Sequence, residues 1–312
     1  MTKGIIDTHC DALLKLWEDS KRSFQNDPAI ETNADRLQKG GVGLQLFALF
    51  VPPTIPQEEK FQVIMEQVEA FQQKVAPARG MKPLRTFQEI PKLQPGETGA
   101  ILTLEGMDAL GTDKNKLEWL YHHGVLSLGL TWNEANLCAD GIGEVRGAGL
   151  TSFGTEVIQM NNERGILTDL SHLSLKGFWE AIALAEKPIA SHSNAYALCS
   201  HRRNLRNDQL EALFTQKGYV GVVFHPEFLT GKETATIADI VRHIDYMCQR
   251  GGVHLIGFGS DFDGIPVHVQ GLEDASCYAN LVEELERHFS AEQVKGFSGE
   301  NFKRMVLDSH NL

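Results

Sequence analysis

The sequence has no apolar stretch near the roughly 20 residues that a membrane-spanning helix requires. Its opening, MTKGIIDTHCD, lacks the continuous apolar core and small-residue cleavage site of a secretory leader. A cytoplasmic protein with no membrane partner is therefore expected. Basic charge is scarce: 29 Lys and Arg face 41 Asp and Glu, a formal net charge of −12, and no basic run interrupts the chain. That argues against nucleic acid as a partner, because phosphate binding needs a concentrated cationic face. Cysteine is sparse too. Cys10, Cys138, Cys199, Cys248 and Cys277 are odd in number, scattered and without a CxxC pair, which speaks against a disulfide framework and for reduced thiols. With no internal repeat, low-complexity segment or linker, residues 1–312 read as a single domain.

Short apolar runs alternate with amphipathic stretches along the whole length, the pattern of βα units around a parallel sheet. Eight strands are expected, at 4–7, 42–51, 99–104, 124–130, 165–169, 188–191, 219–224 and 254–259. Helical spacing of apolar residues marks 58–75, 174–185, 208–216, 237–250 and 280–288 between them. Eight repeats predict an α/β fold of the (β/α)8 TIM-barrel type. A doubly wound sheet would need a glycine-rich turn after its first strand, and THCDALL has no glycine. Residues 24–36 and 133–149 are rich in turn formers and read as long loops over the barrel mouth. Residues 298–312 read as a final helix, with Phe302, Met305 and Val306 packing on the barrel.

In such barrels the chemistry gathers where the strands end, at their C-terminal side. Asp7-Thr8-His9-Cys10-Asp11, Glu105, Ser171-His172, His192 and Asp261 all stand at expected strand ends. In His9-Cys10-Asp11 an extended backbone turns the first and third side chains to one side, so imidazole and carboxylate can grip one ion while Cys10 faces away. An isolated HxD more often caps backbone groups; its weight here comes from its partners. Glu105 is a carboxylate whose two oxygens can serve one cation each. His172 and His192, on consecutive strands, are neutral nitrogen donors of the kind zinc prefers. Asp261 in GFGSDFDG suits a carboxylate that binds metal and handles protons, while Asp263 reads better as an Asp-Gly turn residue. For His122, His123, His243, His288 and His310 a surface position is the default. His201 and His225 lie nearer the predicted mouth.

The strings IIDTHCD, LEG, LTDLSHLS, PIASHSNAYALCSHRRN, GFGSDFDG and GENF, in this order along essentially the whole chain, resemble the membrane (renal-type) dipeptidase family. The resemblance implies a soluble, bacterial-type member with a (β/α)8 barrel, two zinc ions, and hydrolysis of dipeptides, including those with a D-residue in second place. It implies His9, Asp11 and Asp261 on one metal, His172 and His192 on the other, and Glu105 as the bridge, with Glu105 and Asp261 catalytic. It also implies that Arg203 grips the substrate carboxylate, a task suited to a planar guanidinium. Two positions depart from the renal-type pattern. Trp132 stands where a histidine that contacts substrate is expected, and His225 where a tyrosine is expected; both are assigned to substrate binding. A dipeptide is the expected partner, and a homodimer the expected assembly. The rival functions are another hydrolytic reaction on a small amide or lactone by the same metal barrel, and a non-catalytic binding barrel.

Overall fold

The computed structural model describes residues 4–307. Nine strands are present among them: β1 (Ile5–Asp7), β2 (Val42–Phe50), β3 (Met81–Pro83), β4 (Thr98–Glu105), β5 (Val125–Gly129), β6 (Leu167–Asp169), β7 (Pro188–Ala190), β8 (Tyr219–Val222) and β9 (Ile256–Phe258). Every pairing between them is parallel. The order β2-β1-β9-β8-β7-β6-β5-β4 is closed by the pairing of β2 with β4, from Leu44↔Gly99 to Phe50↔Glu105. The result is the expected eight-stranded barrel. β3 is additional: it lies along the first residues of β4, Met81↔Thr98 to Pro83↔Ala100, before β5 takes over from Leu102.

The strands are apolar runs because both their faces are covered, by barrel interior on one side and helices on the other. Ile5, Ile6, Leu46, Phe47, Ile101, Leu104, Leu128, Ile189, Val220 and Phe258 are all buried. The surrounding helices turn one stripe inward. Ile237–Cys248 buries Ile240, Val241, Ile244 and Met247, and Leu175–Ile182 buries Phe178, Ala181 and Ile182. Their ends follow local chemistry: the Thr151 side chain accepts from Gly154 N–H to start Ser152–Arg164, and left-handed Gly165 stops it.

Of the helix expected over 298–312, Asn301–Leu307 is α-helical and packs with Phe302 and Val306 buried and Met305 partly so, while 308–312 lie outside the described residues. The segments 24–36 and 133–149 are irregular apart from the start of helix Ala34–Gly40. All five cysteines are free thiols. No helix among the described residues is long and apolar enough to cross a membrane.

One expectation fails. His243 is not on the surface but fully buried on the inner stripe of Ile237–Cys248, where its Nδ1 accepts from Ala195 N–H at 3.1 Å and its Nε2 lies 3.0 Å from Leu229 O. Two backbone partners satisfy both ring nitrogens, so a neutral imidazole costs little there. His122 and His288 are exposed and His123 partly so; His310 lies outside the described residues.

Candidate metal centre

The parallel register puts all eight barrel strand ends on one rim, and six side chains from five of them converge there. His9 and Asp11 follow β1, Glu105 ends β4, His172 follows β6, His192 follows β7, and Asp261 follows β9. His9 Nε2 lies 3.4 Å from Asp11 Oδ2, 3.7 Å from Glu105 Oε2 and 3.6 Å from Asp261 Oδ1. On the other side, Glu105 Oε1 is 2.8 Å from His172 Nε2 and 3.4 Å from His192 Nε2. One carboxylate thus turns one oxygen to each group.

Whether these residues fit a metal is decided by their atoms. Ligands about 2.0–2.2 Å from a tetrahedral zinc lie roughly 3.3–3.6 Å from one another, close to the 3.4, 3.6 and 3.7 Å found around His9 Nε2. His9 Nε2 and Asp11 Oδ1 are buried yet make no aligned hydrogen bond within the protein, a costly arrangement unless something else satisfies them. Charge gives the same answer. Burial opposes a proton on His9, but Glu105, Asp11 and Asp261 outweigh it and raise the imidazole to about 10. Burial likewise opposes charge on Glu105, yet His9, His172 and Arg203 hold its carboxyl down at about 2. This corner has more negative charge than the protein neutralises. Burial, helped by Arg203, pushes His172 well below the ordinary histidine range, and burial with His9 does the same for His192; both rings are neutral donors. The residues fit one or more divalent cations.

Local backbone is bent to serve this arrangement. Four non-glycine residues among those described have positive φ, and three are here: His172 (69°), Asp261 (66°) and Asp263 (68°). Such conformations persist where surrounding structure imposes them, characteristically at functional sites. Gly106, at φ 89°, lets the chain leave Glu105 in a turn that a Cβ would bring within 3.1 Å of Trp132 N. Asp263 accepts from Glu31 N–H, Thr32 N–H and the Thr32 hydroxyl. It ties the 24–36 loop to the rim and faces away from the cluster, as its turn assignment implies. Cys10 also points away, buried in the core.

Above the cluster lies a cavity of 190 Å³ whose lining includes Asp11, Leu14, Phe50, Glu105, Trp132, His172, His192, Arg203, His225, Phe228 and Asp261. Arg203 is buried, donates from Nη2 to His192 O at 3.1 Å, and leaves Nε without a protein partner. Burial lowers its guanidinium to about 10 against the pull of Glu105, Asp261 and Asp169, so it remains a cation aimed into the cavity. Trp132 packs 5.4 Å from the Phe50 ring and 6.0 Å from His172, half-buried as part of the wall. His225 stacks on Phe228 at 4.4 Å and lines the same cavity.

Several participants escaped the sequence reading. Phe50 ends β2 and could have been found by inspecting that strand's end as the others were. Leu14 and Phe228 sit on short helices with no distinguishing spacing. Asn133, whose Oδ1 lies 3.0 Å from His172 Nδ1, and Asp169 and Ser191 behind His192 are known only from where their hydrogen bonds go.

A family model described as membrane dipeptidase (peptidase family M19) matches residues 2–311. An uncharacterised dipeptidase of Schizosaccharomyces pombe is 31% identical across 96% of this chain and 79% of its own length. Dipeptidase aclJ of Aspergillus oryzae is 30% identical across 89% and 69%. Among solved structures, a metallo peptidase from Rhodobacter sphaeroides, liganded with a phosphinate mimic of the dipeptide L-Ala-D-Ala, aligns with a TM-score of 0.91 at 25% identity, covering 98% of this chain and 99% of that one.

Proposed function

The chain belongs to the membrane dipeptidase family, and from that premise we propose that it is a two-zinc dipeptidase, a single cytoplasmic barrel domain that hydrolyses dipeptides, those with a C-terminal D-residue included. The observation that carries the two-ion reading is Glu105, whose Oε1 faces His172 and His192 while Oε2 faces His9. His9, Asp11 and Asp261 would hold one zinc, His172 and His192 the other, and Glu105 both. Bound there, the ions would lower the pKa of water toward about 7 and polarise the scissile carbonyl.

The chain's own groups do the rest. Arg203 pairs with the substrate's free carboxylate through the Nε that no protein group uses. Asp261 sits at the cavity edge, where burial raises its carboxyl well above the usual range, reinforced by Asp11 and Glu105 against His9 and Arg203. As a carboxylate lining the cavity, it can take a proton from the attacking water and return it to the leaving amine. Phe50 and Trp132 wall off water and offer an apolar surface to a substrate side chain. Trp132 cannot shuttle protons, because an indole has a donor and no acceptor. A small cavity with Arg203 in its wall favours two residues over a longer peptide. The L-Ala-D-Ala mimic on the Rhodobacter protein supports the D-residue expectation.

A panel of L,L- and L,D-dipeptides, tripeptides and cyclic amides tests the proposal. Turnover confined to dipeptides is expected, and preferential cleavage of cyclic amides overturns it.

A further inference from the structure

The edge of the His192 ring that faces away from Glu105 opens on a buried chain of hydrogen bonds. His192 Nδ1 lies 2.7 Å from Ser191 Oγ, and Ser191 Oγ donates to Asp169 Oδ2. Asp169 Oδ1 accepts from the backbone N–H groups of Ser171 and Ser191, each at 3.0 Å. All three side chains are buried. The fold builds this chain from adjacent strands: Asp169 ends β6 beside Ile189 of β7, and Ser191 follows β7.

The direction of the protons follows from counting donors. Asp169 has two N–H groups and one O–H aimed at it, so it acts as an acceptor-only carboxylate. A hydroxyl has one proton, and Ser191 gives it to Asp169. Its oxygen can then only accept from His192, which places the imidazole proton on Nδ1. The bare nitrogen is Nε2, the one that lies 3.4 Å from Glu105 Oε1 and 2.8 Å from His172 Nε2.

We infer that Asp169 and Ser191 are positioning residues that fix His192 as the Nδ1–H tautomer and so keep Nε2 free to bind a cation. The inference rests on the two-zinc reading for the identity of that cation. A carboxylate acting on a ligating histidine orients the ring and raises its donor strength; here a serine hydroxyl stands between the two. His172 is backed differently, by the neutral amide oxygen of Asn133 at 3.0 Å. The two histidines facing Glu105 Oε1 are thus unequal donors, with His192 the stronger.

The test uses the full chain in two measurements. Nitrogen-15 NMR of the metal-free protein reads the His192 tautomer, and competition with a chelator reads zinc affinity. Wild type is expected to show Nδ1–H. In Asp169→Asn the amide can donate to Ser191 Oγ, turning the hydroxyl proton toward His192 and moving the ring proton to Nε2. Affinity for one zinc equivalent should fall about 10–100-fold. Ser191→Ala should weaken zinc to a similar degree, and Ser191→Thr, which keeps the hydroxyl, should restore it. If Asp169→Asn does not fold, the Ser191 pair decides. An Nε2–H tautomer in wild type, or wild-type zinc affinity in folded Ser191→Ala, overturns the inference. Wild type that takes up fewer than two zinc ions instead contradicts the two-zinc reading, and the metal-free tautomer still tests the relay.

Discussion

Gly264 offers a sharp probe of the metal centre because it is not itself a ligand. A Cβ added there would lie 2.3 Å from Asp11 Oδ2 and 2.8 Å from Asp261 Oδ1, whereas real Cβ contacts essentially never fall below 3.0 Å. The Asp11 oxygen must retreat by about 0.7 Å or more, well beyond the roughly 0.2 Å tolerance of metal–ligand distances. Both carboxylates face His9 Nε2, at 3.4 and 3.6 Å, so one methyl disturbs two of the three groups on that side. The overpacking itself costs about 1–3 kcal/mol, small against the roughly 5–15 kcal/mol that keeps a typical protein folded. Gly264→Ala should therefore fold, lose about 10–100-fold in affinity for the ion on the His9 side, and turn over on the order of 10² more slowly. Metal analysis after dialysis against buffered zinc, with circular dichroism as the folding control, reads this. Wild-type metal content and turnover in a folded variant would refute the assignment of Asp11 and Asp261 to a common ion.

Arg203→Met should raise KM for dipeptides far more than for dipeptide amides, with a loss of roughly 2–5 kcal/mol for a desolvated pair; equal losses on both substrates would make Arg203 structural. His243 predicts a pH effect on stability. Burial lowers its imidazole to about 4 from the ordinary 6.5, so the unfolded chain takes up a proton first as pH falls. The stability from a neutral His243 is fully present above pH 6.5 and is lost as pH falls toward 4, in all about 3 kcal/mol. Urea unfolding of wild type and His243→Gln should show a flatter profile for the variant across that window, and parallel profiles would contradict the assignment.

The barrel was legible because its strands are buried on both faces and must be continuous apolar runs, and because function collects at their ends. Glu105, His172, His192 and Asp261 each follow such a run, and the structure gathers them with His9 and Asp11. β3 was not legible: three residues, Met81–Pro83, carry no periodicity, and only their place beside Thr98 makes them a strand. His243 is buried against the surface expectation, and the sequence carries the signal for it. It lies three residues after Ile240 and four before Met247, on the same face of the helix, and position on an apolar stripe outweighs the general preference of histidine for the surface. Asn133, Asp169 and Ser191 could not be singled out, because each is an ordinary polar residue whose role is set by a partner distant in sequence or by the direction of one proton. Arg203 was assigned through family resemblance; the structure adds its burial and its unpaired Nε.

Two zinc ions sharing Glu105 in a dipeptide-cleaving site are tested most directly by titrating metal-free protein with zinc while following hydrolysis of one L,D-dipeptide. Activity should be absent without metal and climb to a plateau that breaks at two equivalents per chain. A break at one equivalent, or no hydrolysis at any zinc concentration by a protein that binds both ions, would contradict that arrangement.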